Sequence, residues 1–449
     1  MVTNLTEGKV NSVLWKFTLP MFISVVFQQF YNMADAVIVG KFVGNQALAA
    51  VGSTGTIMFL IFPVTMIFMA IAVGSNVGCS VVISRYFGGG WMRKMKTAVS
   101  TTILASLVLS IFLTGIGLVV SGPLLHVMNT PANIFDQGKL YLNIYIAGLV
   151  FLFLYNVATG VFTSLGDSRT PLVFLIGSSI GNILLDLLFV ISFHWGVAGV
   201  AWATFIAQGI ACVLALITLR KRVAAIDTQG RKIALFSKSM LGKIAFIAIP
   251  SILQQSFVSV GNLFIQGLVN SFGSGVLAGY SAAVKLNNFA ITSFSTLGNG
   301  VSNFTAQNLG AGKEERVEKG FHSGILMAVC IGVFFVLGYF VTGKWAMSLF
   351  LQNTSGEAMK TGVLYLRILS PFYFAISIKL IADGLLRGGS AIRSFMVSTF
   401  SDLILRVILA FVFSRIWGSI GIWLAWPVGW VLSTGLSFYY YKKGVWRNK

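Results

Sequence analysis

Four carboxylates, Asp35, Asp186, Asp383 and Asp402, fall inside long stretches that are otherwise almost free of charge. An acid in hydrocarbon is costly and marks a working site unless a neighbour neutralises it. Asn182 precedes Asp186 by four residues, so both project from one helical face. Tyr31 precedes Asp35 by four and is placed to donate a hydrogen bond to it. Asp35 lies six residues before Lys41, about 9 Å along a helix. Asp186 lies eight before His194, and Thr204 eight past Gly196, about 12 Å each. Shared depth lets two carboxylates, an amide oxygen and hydroxyls form a hard-oxygen site for Na⁺, or for a proton held by desolvation and like-charge repulsion.

The second half of the chain has pairs of a different kind. Lys379 and Asp383 are four apart, as are Asp402 and Arg406, so each pair can neutralise itself on one helix face. Such pairs are commonly structural. The alternative is a cavity wall that reads a charged solute, to which Lys285 and Asn156 could also contribute. Arg367 reads as a snorkelling anchor. Cys79, Cys212 and Cys330 have neither disulfide nor metal spacing and read as packing residues.

The elements that must carry these groups follow from composition. Of 449 residues, 56% are apolar and 10% charged, against about 25% charged in soluble proteins. Thirty-two Lys and Arg against twelve Asp and Glu give a formal charge of +20, but the cations sit between long uncharged runs, not on a wet nucleic-acid-binding face. A soluble enzyme, a disulfide scaffold and a disordered chain are excluded. Twelve windows are long and apolar enough to span a bilayer: 14–40, 48–78, 97–123, 140–162, 171–193, 196–219, 242–269, 276–306, 321–343, 362–386, 394–414 and 417–441. The first lacks a small-residue cleavage site, so no removable signal peptide is expected. With twelve spans both termini share one side, which collects 23 Lys and Arg against five on the other. The positive-inside rule makes that side cytoplasmic. The expectation is an all-α multi-pass protein of a bacterial-type plasma membrane.

The chain repeats itself at a shift of 222–230 residues. LPMFISVVFQQFYNMADAVIVGKFVG recurs as IPSILQQSFVSVGNLFIQGLVNSFG, setting Pro20 on Pro250. SRYFGGGWMRK matches AQNLGAGKEER, YLNI at 141 matches YLRI at 365, and WGVAG at 195 matches WGSIG at 417. Six spans per half enter the membrane from the same side, so two six-helix lobes related by an axis along the membrane normal are expected. The lobes are 1–219 and 242–449, with a basic cytoplasmic linker at 220–241. In this register Ile265 stands for Asp35, Arg406 for Asn182 and Ala410 for Asp186. The acid pair therefore belongs to the first lobe alone. GAGKEE at 310–315 fails the phosphate-loop pattern twice and reads as a tight turn with glycines at positive φ. With no nucleotide site, transport must run on an ion gradient, worth about 2.3 kcal/mol per charge per 100 mV, or run downhill.

Taken together, the twelve spans, the six-plus-six repeat, the QNLGAGKEER turn at 307–316 and GNILLDLLFVISFHWGVAGVAWATFIAQ at 181–208 resemble the multidrug and toxic compound extrusion (MATE) family along essentially the whole chain. LGDSRTP at 165–171 also matches the family, whereas its partner in the second half reads GGSAIRSF at 388–395. The resemblance implies a secondary active antiporter that exports small amphipathic, cationic compounds in exchange for H⁺ or Na⁺ by alternating access. It also implies that the coupling cation binds at Asp35, Asn182, Asp186 and Thr204, and that Pro20 lets the first helix bend. The chain is closer to the DinF-like branch, because 242–269 lacks the acid that the NorM-like branch carries there. No cofactor, enzyme activity or nucleic acid is expected, only a small-molecule substrate and membrane lipids around a monomer. Two alternatives are a lipid-linked saccharide flippase of the same broad superfamily, which needs a strongly cationic cavity, and an intramembrane enzyme. Asp35 in Met-Ala-Asp and Asp186 in Leu-Leu-Asp do not fit the second.

Overall fold

The structure, a computed structural model, describes all residues except 1–3, 43–44, 128–131, 229–232, 352–355 and 448–449; it describes no side chain over 33–66 and 127–134 or at 137 and 197. Among the described residues the chain is helical, without strands. The first half holds α1 (Val10–Phe42), α2 (Asn45–Gly88), α3 (Met92–Val127), α4 (Ala132–Ala147), α5 (Leu149–Ser164), α6 (Arg169–Leu187) and α7 (Gly196–Ala224). The second holds α8 (Lys238–Asn270), α9 (Ser274–Gly310), α10 (Glu314–Ser348), α11 (Glu357–Leu369), α12 (Tyr373–Gly388), α13 (Ile392–Trp417) and α14 (Ser419–Lys442). The protein is an all-α polytopic membrane protein. Bulky apolar side chains stay exposed along the outside of the helices, Val119 at 77% and Val341 at 79%, as lipid-facing surface requires.

Two expected spans are each broken at repeat-related points. In the window 140–162 the helix breaks at Gly148, whose N–H is shared between the carbonyls of Ile144 and Tyr145. In the window 362–386 Pro371, which has no N–H to donate, sits in a 3₁₀ turn at Ser370–Phe372 between α11 and α12. Eleven stretches among the described residues are long and apolar enough to cross a membrane, with each broken pair counting as one crossing. The window 276–306 forms α9 but is too polar to join them. Nevertheless α9 crosses, because it runs beside the Glu357–Gly388 span from end to end. A Cβ at Gly275 would meet Glu357, one at Gly298 or Gly384 would meet the other helix's backbone, and one at Gly388 would meet Ser302.

The chain packs as two compact units. One comprises Val26–Phe87 and Trp91–Ile252; the other comprises residues 4–25, Gly88–Gly90 and 253–447. The sequence repeat divides at the 220–241 linker, whereas the compact units divide inside α1 and α8, so each unit contains the start of the other half's first helix. The physical reason is close packing on glycine. In the second unit a Cβ at Gly300 of α9 would lie 2.3 Å from Thr18 Cγ2 of α1. In the first, a Cβ at Gly78 of α2 would lie 2.5 Å from Ala248 Cβ of α8. Each pair is the repeat image of the other.

The turns repeat as well. Gly90 and Gly312 both take φ of 71°, so the two repeated motifs form the same tight turn, as their glycines require. Gly166 of the LGDSRTP motif takes φ of 79°, and its counterpart Ser390 takes 59° without a glycine. Asp167 closes the first of these turns: its carboxylate accepts from Thr170 N–H at 3.1 Å and Thr170 Oγ1 at 2.7 Å, and pairs with Arg222 at 2.9 Å.

Candidate cation site of the first unit

The first unit brings four of the expected residues together, Asn182, Asp186, Thr204 and Tyr31. Asn182 and Asp186 are both buried on the inner face of α6. Directly after Asp186 the helix widens into a π-turn at Leu188–Ser192, a device that shifts the helical register and recurs at functional sites. The chain then reverses sharply: His194 has φ of 58° and Gly196 of 55°, under the packed rings of Phe189 and Trp195, whose centroids lie 5.0 Å apart. This reversal returns α7 along α6 and sets Thr204 opposite Asn182.

The Asn182 amide can be set in its slot in two orientations, of which one satisfies its neighbours. With its oxygen toward α1 it accepts from the Tyr31 hydroxyl, and Nδ2 lies 3.4 Å from Thr204 Oγ1. Turned over, its nitrogen donates to Asp186 Oδ2 at 3.1 Å and to the Tyr31 hydroxyl, and its oxygen accepts from the Thr204 backbone N–H at 3.0 Å. The second orientation sets a donor against an acceptor on every side and is the better satisfied. The amide therefore links a buried carboxylate, a half-buried phenol and α7 in one cluster. Tyr31, expected beside Asp35, bonds Asn182 instead, a partner that spacing on one helix could not reveal. Asp35 itself lies on α1, outside the residues whose side chains are described. Pro20 lies inside the continuous α1, five residues before the helix passes from one unit to the other.

The second unit separates the remaining candidates. Lys379 and Asp383 form a buried ion pair at 2.7 Å, and Asp383 also accepts from Ser437 at 3.0 Å and Thr399 at 3.3 Å. With these three donors, Asp383 is bound into the packing of α12, α13 and α14. Asp402 and Arg406 do not pair, contrary to their spacing. Arg406 instead lies over Trp426, 4.2 Å from the ring centre, and its Nε and Nη2 and Asp402 Oδ1 are buried without hydrogen-bond partners. Helix spacing fixes only the direction of each Cβ, and the indole drew the guanidinium away. Asn156 turns back on its own helix, donating to the Leu152 carbonyl at 2.9 Å. Lys285 is exposed, its ammonium 5.4 Å from the Phe350 ring centre, and Arg367 is exposed against Phe340. Arg387, one residue past the expected span 362–386, is buried at the end of α12 and donates to Asn299 at 3.0 Å.

The MatE family profile matches residues 20–188 and again 250–412, together well over half the chain. The chain belongs to the MATE family. Its two matches begin at Pro20 and Pro250, the same point of the repeat. MATE proteins are transporters, so the chain is a membrane transporter and not an enzyme. It is 27% identical to the probable multidrug resistance protein YpnP of Bacillus subtilis over 98% of this chain and 97% of that protein. It is 26% identical to a FAD transporter of Shewanella oneidensis over 97% and 95% of the two chains. Its fold matches a solved outward-facing multidrug resistance MATE transporter with a TM-score of 0.89 and 22% identity, over 99% and 98% of the chains.

Proposed function

We propose that this MATE transporter is a cation-coupled antiporter that exports small amphipathic compounds by alternating access across a bacterial plasma membrane, with both termini cytoplasmic. The cluster of buried Asp186 and Asn182 with half-buried Thr204 and Tyr31 carries the reading. Carboxylate, amide and hydroxyl oxygens suit Na⁺, and a carboxylate held away from water can equally bind and release a proton. Asp35, one helical turn beyond Tyr31 on α1, is assigned to the same site. Occupation of that site by a cation would draw α1 toward α6. Pro20, which cannot bond the preceding turn, supplies the weak point at which α1 can bend.

The flippase alternative needs several free cations to grip a pyrophosphate. Lys379 is taken up by Asp383, and Arg406 lies stacked on Trp426. The multidrug names of relatives such as YpnP support export of small compounds instead. The test is uptake of a cationic and an anionic fluorescent dye into proteoliposomes, with pH and Na⁺ gradients imposed separately. One of the two gradients is expected to drive transport of at least one dye, and Asp35→Asn to abolish it. Transport indifferent to both gradients would rule out cation coupling.

A further inference from the structure

The helix too polar to resemble a span carries the clearest unassigned feature. On α9 the residues Val276, Tyr280, Ala283, Ala290, Phe294, Leu297 and Val301 are buried at helical spacing and form the face packed into the second unit. The opposite face carries Lys285, Asn288, Thr292, Thr296 and Asn299, at steps of three and four residues. Lys285, Asn288 and Thr292 are exposed, and the other two are half-buried. Because α9 runs beside the Glu357–Gly388 span along its whole length, this polar face lies at membrane depth. Lys285 is ten residues past Gly275, about 15 Å along the helix. A lysine can snorkel, but the short Asn288 and Thr292 cannot, and exposed amide and hydroxyl groups do not face lipid. The stripe is therefore wetted.

Its charge is of one sign. Lys285 has the Phe350 ring beside it and no acid paired with it among the described residues. At the other end of the stripe Asn299 receives Nη2 of Arg387, whose Nε is buried without a partner. Among the described buried residues of the unit, the cations are Lys379, Arg387 and Arg406 and the acids are Asp383 and Asp402. The buried charges of the unit thus sum to one positive, the same sign as the free ammonium on the wetted face.

We infer that Lys285, Asn288 and Thr292 form a recognition site for an organic anion, a carboxylate or phosphate carried on an apolar body. The ammonium pairs with the anionic group while the amide and hydroxyl one and two turns along the helix bond its polar substituents. This rests on the transporter reading and gives its cargo a sign opposite to the cationic one that the family resemblance implies.

Flavin mononucleotide and riboflavin make a matched probe pair, since they share the ring and differ by a phosphate. Their binding to the purified full-length protein in detergent is read from flavin fluorescence. Wild type is expected to bind the phosphorylated flavin about tenfold more tightly or better. Lys285→Gln is expected to remove that preference and Lys285→Arg to keep it, with unchanged thermal midpoints showing that both variants fold. Equal affinity of the two flavins for wild type, or a preference that survives in Lys285→Gln, overturns the inference. Binding as expected, together with transport indifferent to any ion gradient, supports the anion site and overturns cation coupling instead.

Discussion

The two halves of the chain put opposite charge on one framework. Around α6 and α7 the first unit holds Asn182, Asp186 and Thr204; a shift of 222–224 residues turns these into Arg406, Ala410 and Trp426. The same two helix positions touch in both units. Asn182 reaches Thr204 Oγ1 at 3.4 Å, and the Arg406 guanidinium lies 4.2 Å from the Trp426 ring centre. Where the first unit has Tyr31, the second has Gly261, at which a Cβ would already lie 3.4 Å from Val407. The place proposed to take a small cation in one half is filled in the other by a tethered one. Duplication has preserved which backbones touch, while a few side-chain changes replace an amide and a carboxylate by a guanidinium and a methyl group.

The comparison can be broken at several points. The largest effect is expected at Asp383. Asp383→Ala strands Lys379 in the interior and should cost about 3–5 kcal/mol of stability, read as a lower thermal midpoint in detergent. Replacing both partners, as Lys379→Met with Asp383→Leu, should recover most of that loss; a single variant no worse than the double would show that the pair does no structural work. Next come the glycines that seat each half's first helix. Gly78→Val and Gly300→Val each force a side chain into Ala248 or Thr18 and should cost about 1–3 kcal/mol. Similar losses would sharpen the view that the two packings are repeat images, and strongly unequal ones would break it.

Smaller effects separate the two repeat-related sites. Thr204→Val keeps the backbone N–H that donates to Asn182 but removes a hydroxyl oxygen from the proposed cation site, worth about 1 kcal/mol, and should weaken the cation dependence of transport roughly fivefold. Arg406→Leu changes the position equivalent to Asn182 and should leave the cation concentration for half-maximal transport where it was. A shift of that midpoint would place a second coupling ion in the second unit.

Spacing on single helices was enough to find the first unit's cluster, because Asn182 and Asp186 need only one helical face and Thr204 only a depth. It was not enough for Tyr31, whose partner comes from another helix, nor for Arg406, whose stacking on Trp426 depends on a rotamer and not on the direction of a Cβ. Repetition showed the two halves, but the passage of α1 and α8 between compact units rests on contacts of Gly78 and Gly300 that no hydropathy pattern carries. Hydropathy placed α9 in the membrane only through its window; its polar stripe gained meaning once its full-length packing beside α11 and α12 was known. Arg387 fell outside the expected span for a related reason: a cation near the end of an apolar run reads as loop until the burial around it is seen.

Asp186→Asn offers the most direct measurement of coupling through the first unit. The variant keeps the shape of the carboxylate and its contact with Asn182 but removes its charge. In proteoliposomes it should lose gradient-driven dye accumulation while retaining downhill exchange of the same dye. Accumulation undiminished from wild type, under whichever gradient drives it, would contradict cation coupling at this site.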